Sequence, residues 1–219
     1  MIKSFSMQEV FIKLRVEYQK KASRFMSYQL NKKDFTIISN NCWGGRIYEK
    51  YGLAYNSPTI GGFIMPDEYI KFVYDLKYYL NQDLIFINPL ESRYYEYLTN
   101  YPNFGKFPIG KLDDIEIVFL HYTNQDEVLK KWKRRSERVN WDRIILKFCD
   151  QNLCEYKHLL AFDKLDLPNK ICFTAKPYPE FKSIIYLKSA MGKESVDIND
   201  EVFVSSKYFD FTKLINRMY

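Results

Sequence analysis

Short apolar runs alternate along this chain with segments of helical period. Phe35-Thr36-Ile37-Ile38 runs into the polar turn Ser39-Asn40-Asn41-Cys42 and then Trp43-Gly44-Gly45, a pattern that reads as a buried strand ending in a tight turn. A short helix resumes at Arg46, and Gly52 ends it. Pro66-Asp67-Glu68 opens a helix to about Leu80, with proline and acids in the first turn, where the helix dipole favours them. Its stripe of Tyr69, Phe72, Val73, Leu76 and Leu80 predicts a buried face. Leu84 to Ile87, Ile115 to Leu120, Ile144 to Phe148, Ile171 to Thr174 and Ile184 to Leu187 read as further strands. Residues 92–112, which hold Pro102, Gly105, Pro108 and Gly110, read as irregular. Helices are predicted from Thr123 or Asn124 to about Arg138, near 151–161, and over Phe209 to Met218. Strands alternating with helices predict an α/β fold, a mostly parallel sheet flanked by helices in a single Rossmann-like domain over residues 34–219.

Ahead of that domain, residues 1–33 form a separate unit built on a helix over residues 4–28. Val10, Phe11, Leu14, Tyr18, Ala22 and Phe25 recur at helical spacing, ringed by Lys13, Arg15, Lys20, Lys21 and Arg24. Such a basic amphipathic helix either packs on its own domain or lies on an anionic membrane face.

Composition narrows the picture without deciding it. With 219 residues the chain can bury a core without staples. A net charge of +6 favours phosphate-bearing partners or an anionic surface, though only mildly. The 19 tyrosines suit sugars or bases, because a flat ring with a hydroxyl packs and hydrogen-bonds at once; an AT-rich genome accounts for them as simply. Cys42, Cys149, Cys154 and Cys172 show neither a CxxC pair nor a secretory pattern, and only two histidines accompany them. Reduced thiols and no metal site follow. No apolar run reaches the length of a membrane span and no signal sequence is visible, which predicts a cytoplasmic protein, free or held on the inner face of the membrane. Nucleic acid is not an expected partner, since the basic residues lie mainly on two helices and no RNA-binding module is recognisable.

Candidate chemistry gathers where predicted strands end, the edge at which α/β sheets bind ligands. Asn40, Asn41, Cys42, Trp43, Gly44 and Gly45 follow the first strand, and His121 and Tyr122 follow the strand ending at Leu120. Ser57 lies in a second polar, glycine-bearing loop. Imidazole is the side chain best suited to proton transfer near neutral pH, which makes His121 the leading general base, with Asp142 as a second base or as the group that orients His121. Cys42 as a nucleophile wants a basic neighbour, and only Arg46 lies near it in sequence. Arg135 and Arg138, one helical turn apart, can grip a diphosphate through forked hydrogen bonds, and Asn140 and Trp141 stand beside them. No glycine-rich phosphate loop and no Asp-x-Asp pair occurs, so metal independence and the absence of a cofactor are expected.

Five motifs occur in a fixed order: Ser39-Asn40-Asn41-Cys42-Trp43-Gly44-Gly45, Tyr55-Asn56-Ser57-Pro58-Thr59, Pro108-Ile109-Gly110, Phe119-Leu120-His121-Tyr122, and Trp132 with Arg135 and Arg138-Val139-Asn140-Trp141-Asp142. In these the chain resembles a bacterial family labelled exopolysaccharide biosynthesis protein, a domain of unknown function (family 1919), over about residues 34–190, with the N-terminal helix outside the likeness. The resemblance implies a role in capsule or exopolysaccharide assembly, as a glycosyltransferase that moves a sugar, galactofuranose among the candidates, from a nucleotide sugar to a lipid-linked saccharide acceptor. It supplies no catalytic assignment. Two rivals stand beside it: a transferase that decorates the polysaccharide with a non-sugar group, and a non-catalytic assembly protein of the same pathway.

Overall fold

The computed structural model describes residues 7–218, with side chains from residue 17 onward. Its strands are β1 (Thr36–Ser39), β2 (Ile85–Ile87), β3 (Ile109–Leu112), β4 (Ile115–Val118), β5 (Ile144–Cys149), β6 (Lys170–Thr174) and β7 (Ile184–Tyr186). The α-helices are α1 (Met7–Tyr28), α2 (Trp43–Lys50), α3 (Pro66–Tyr74), α4 (Leu76–Leu80), α5 (Tyr95–Leu98), α6 (Gln125–Ser136), α7 (Tyr156–Lys164) and α8 (Phe211–Arg217). The fold is mixed α/β. A four-stranded parallel sheet runs in the order β1-β5-β6-β7, and a smaller antiparallel sheet in the order β2-β3-β4.

Strands covered on both faces are apolar at nearly every position, and β1 and β5 show why. Ile38, Leu146 and Phe148 pack with Tyr69, Phe72 and Phe162 on one face, while Ile37, Ile145 and Cys149 pack with Trp43, Tyr48 and Phe211 on the other. Lys147 sits within that second face of β5, a cation where the pattern calls for an apolar side chain.

The mostly parallel sheet flanked by helices is present, and β2 and β4 lie beside it in the smaller antiparallel sheet. The strand that binds them, β3, falls inside the stretch read as irregular. A turn at Asp113-Asp114, with Asp113 in the left-handed region (φ 51°), folds β3 onto β4. At Gly110 the neighbouring side chains come so close that a Cβ would lie 2.6 Å from Leu84 Cδ1 and 2.9 Å from Phe119, so a residue that weakens a strand pattern is needed by the packing. The helix expected from Pro66 to Leu80 breaks at Asp75 (φ −133°), whose side chain accepts the amide of Tyr78 and starts α4 anew. Helix α2 begins at Trp43, ahead of Arg46, and α7 begins only at Tyr156, because Asn152 and Leu153 take left-handed conformations after β5.

Of the stripe expected on the first helix, Val10, Phe11 and Leu14 lie outside the described side chains. Tyr18 and Phe25 are exposed, and the helix meets the body through Met26 and through Ser23 beside Gly52.

Segment 59–64 joins the two sheets. Ile64 donates its amide to Asn40 O (2.9 Å) at the end of β1, and Phe63 exchanges backbone hydrogen bonds with Val118 at the end of β4 (2.8 and 2.9 Å). His121 then donates its amide to Gly61 O (3.1 Å). Two strand ends from different sheets are thereby brought side by side.

Candidate active site

Cys42 caps α2 from the end of β1, and its Sγ lies 3.0 Å from Nε2 of His121, beyond the end of β4. The basic partner missing near Cys42 in sequence is supplied from 79 positions along the chain. Burial pushes the Cys42 thiol above its ordinary value; Arg46 and Lys147 pull it down, and Glu201 and Glu49 push it up. The Cys42 thiol and the His121 imidazole lie within hydrogen-bond distance, the arrangement from which a base removes the proton as the sulfur reacts.

Beneath this pair lies a polar cluster closed to water. Lys147 and Glu201 are fully buried and form an ion pair. Burial works against the Lys147 charge, yet its acidic neighbours Cys149 and Glu201 hold its pKa above the usual lysine value. Asn41 connects both: Lys147 Nζ donates to its Oδ1 (2.9 Å), and its Nδ2 donates to Glu201 Oε2 (2.6 Å). The same Oδ1 accepts the amide of Trp43 (3.1 Å) and so fixes the first turn of α2 immediately after Cys42. Asn40 spends its amide on Cys149 (3.4 Å), and Trp43 donates its indole N–H to Glu201 O (3.1 Å). Gly44 lies tight against Ile37 and Ser39, and Gly45 against Ile60, so this glycine pair seats α2 on the sheet. Ser57 is buried and pairs with Thr59, whose hydroxyl accepts the amide of Ser39.

Two clefts flank the pair. The first, about 270 Å³, includes Cys42, Arg46, Tyr55, His121, Lys131 and Arg135 in its wall. Arg46 is paired with Glu49 (3.1 Å) and Lys131 with Glu127 (2.5 Å), both at the rim. Arg135 is different. It is buried, donates to Ile60 O (3.1 Å) and Tyr122 Oη (2.8 Å), and stacks 5.0 Å from the Tyr55 ring centre. Its Nε has no hydrogen-bond partner, and no carboxylate among the described residues pairs with it. Tyr122 hands its own proton to Ile60 O (3.0 Å) and so braces the arginine. The second cleft, about 530 Å³, shares Cys42, Arg46 and His121 and is otherwise lined by aromatic rings, amides, aliphatic side chains and Ser195.

The chain belongs to the family described as domain of unknown function DUF1919. Its sequence profile matches residues 13–218, so the family domain includes the latter part of α1, which the motifs had left outside. A Haemophilus influenzae protein described only as uncharacterized is 31% identical over 202 residues, covering 89% of this chain and 90% of its own length.

Within this family domain the remaining expected residues lie elsewhere. Asp142 does not orient His121. The turn Asn140-Trp141-Asp142 precedes β5 at the opposite edge of the sheet, where Asn140 donates to Asp34 O (2.5 Å) and accepts the amide of Asp142 (3.2 Å). Trp141 and Asp142 line a separate cleft of about 810 Å³ between α3 and α7. Arg138 is exposed beyond the end of α6 and does not line the Arg135 cleft. Lys147 and Glu201 escaped the motif reading, although a lysine inside the apolar run of β5 is a readable signal. No group of three or more His, Cys, Asp or Glu able to hold a metal occurs among the described residues, and none of their helices is long and apolar enough to cross a membrane.

Proposed function

We propose that the chain is a transferase of capsule or exopolysaccharide assembly that holds its donor by phosphate: a glycosyltransferase taking a sugar, galactofuranose among the candidates, from a nucleotide sugar to a lipid-linked saccharide. One observation carries this reading, the buried and unpaired guanidinium of Arg135 in the wall of the cleft that holds His121. A cation buried without a counter-charge is costly, and an anionic ligand supplies that charge. The forked guanidinium suits phosphate oxygens and offsets diphosphate charge itself, in a cleft whose rim holds Arg46 and Lys131, each paired with a glutamate. His121 takes the proton of the acceptor hydroxyl. Exposed Tyr18, Phe25 and Tyr28, interleaved with Lys20, Lys21 and Arg24 on α1, support contact with an anionic membrane carrying the acceptor.

The test is thermal stability with nucleoside diphosphates and nucleotide sugars, with and without magnesium. A ligand at a hundredfold excess over its dissociation constant stabilises the fold by about 2.7 kcal/mol. A shift with one diphosphosugar, lost in Arg135→Met, supports the donor site. Absence of any shift sinks it.

A second reading has its own observation, the 3.0 Å contact between Cys42 and His121, because the thiol occupies the imidazole nitrogen that the acceptor hydroxyl needs. Here the donor is a phosphate-bearing acyl thioester and the product a decorated polysaccharide. His121 takes the Cys42 proton, the sulfur attacks the acyl carbon, and the departing thiolate recovers the proton. His121 then deprotonates an acceptor hydroxyl, which attacks the new thioester and releases the Cys42 thiolate, to which His121 returns the proton. Intact mass after exposure to acetyl coenzyme A separates the readings: an acetyl adduct absent from Cys42→Ser favours the thiol route, and no adduct removes it.

A further inference from the structure

The cleft on the far side of the Cys42–His121 pair contrasts with the one that holds Arg135. Its own lining is Phe63, Tyr97, Tyr101, Gln151 and Asn152, closed by aliphatic side chains that include Ile198. It contains no carboxylate and no lysine, and its one charge, Arg46, lies on the wall shared with the cationic cleft. Phe63 and Tyr101 stack at 5.4 Å, and Tyr97 and Tyr101 meet at 5.7 Å, so the rings form a continuous surface. Both tyrosine hydroxyls donate to Asn152 Oδ1 (3.1 and 3.0 Å), which pins the rings to the end of β5. Asn152 and Leu153 hold left-handed backbone conformations there (φ 55° and 66°), a region that a leucine seldom adopts. Across the cleft, Gln151 accepts from Asn41 (3.2 Å) and donates to Val196 O (2.6 Å).

Flat apolar rings beside fixed amides, without a counter-charge, match a neutral ring-shaped ligand that carries hydroxyls and exposes C–H faces. We propose that this cleft is the acceptor subsite and that it binds an uncharged saccharide, whose hydroxyl is presented to His121 from the side opposite the anionic donor. The assignment rests on the transferase reading above and holds for both of its forms. Two reactants approaching one imidazole from opposite sides need two clefts of different chemistry with that imidazole in both walls. His121 is so placed, together with Cys42 and Arg46.

Saturation-transfer NMR on the full chain tests this, with maltose, cellobiose and lactose as neutral probes and uridine and adenosine as uncharged ring controls. Transfer to the sugar C–H protons is expected, with loss in Tyr97→Ala and in Ile198→Trp. The latter fills the cleft from an exposed rim position and keeps the test open if the tyrosine variant folds poorly. Pyrophosphate is expected to leave the sugar signal in place. No transfer from any disaccharide to the folded wild type overturns the proposal, as does transfer undiminished in Ile198→Trp, or transfer to the nucleosides alone. A sugar signal without any pyrophosphate-induced melting shift keeps the saccharide subsite and removes the anionic donor site, so the two failures are told apart.

Discussion

Lys147 and Glu201 form an ion pair from which water is fully excluded, and Asn41 bonds to both partners while capping the turn that carries Cys42. Removing one member leaves an uncompensated buried charge, which costs about 3–5 kcal/mol. Lys147→Met and Glu201→Gln are each expected to lower unfolding free energy on that scale in urea titrations. The double variant Lys147→Met with Glu201→Met should recover most of the loss, because no lone charge remains. Recovery of stability without recovery of the wild-type Cys42 alkylation rate would show that the pair serves the turn more than the fold.

The Cys42 thiol makes a prediction about pH. Burial, its largest influence, raises the pKa, and Arg46 opposes that rise. Alkylation of Cys42 by iodoacetamide, followed by mass spectrometry, should therefore climb at a higher pH than for free cysteine. Arg46→Ala removes a cation that favours the thiolate and should move the midpoint further up, and Glu49→Gln should move it down. Cys149 and Cys172 are buried, and the Cys149 thiol is pushed up to about 12, so both should stay silent. A Cys42 midpoint below that of free cysteine would contradict this electrostatic picture.

Arg135 separates stability from function. Its guanidinium forms hydrogen bonds with Ile60 and Tyr122 but carries a buried charge without a counter-ion. Replacement by methionine loses those bonds, worth about 1.5–3 kcal/mol each when charged, and relieves a desolvation cost of several kcal/mol. The net change in urea stability is expected to fall within about 1–2 kcal/mol of zero. The melting shift produced by pyrophosphate should vanish. A large loss of stability with anion binding retained would mark Arg135 as a structural brace.

Much of this site was legible as parts and little of it as a whole. Cys42 and His121 each stood after a predicted strand, yet their contact depends on segment 59–64 stitching two sheets together, and sequence spacing carries no record of that. Arg138 and Asp142 illustrate the converse. Helical spacing grouped Arg138 with Arg135, but α6 ends at Ser136 and the chain turns toward the amino edge of the sheet. Lys147 was visible as a charge in an apolar strand. Its partner was not, since Glu201 sits in a single π-helical turn, Asp200–Val204, with no periodic pattern around it. The parallel core followed from composition because its strands are buried on both faces, whereas β3 was hidden by Pro108 before it and by Gly110, the glycine that its packing requires.

Gly61 ties backbone geometry to the Arg135 cleft. It adopts φ +88°, and a Cβ there would fall 2.6 Å from Tyr122 Cε2 and 3.0 Å from its hydroxyl oxygen. Gly105 has a similar φ of +82° with nothing within 4 Å of an added Cβ, so it isolates the backbone cost. Gly105→Ala should cost about 1–2 kcal/mol, the penalty for an L-residue in the left-handed region. Gly61→Ala should cost more, since it must also displace the ring whose hydroxyl braces Arg135. It should also weaken the pyrophosphate-induced melting shift, which Gly105→Ala leaves unchanged. Tyr122→Phe removes the brace without the steric clash and should reproduce the loss of anion binding with a smaller loss of stability. If Gly61→Ala and Gly105→Ala prove equal in both measurements, the contact between Gly61 and Tyr122 does not govern the placement of Arg135.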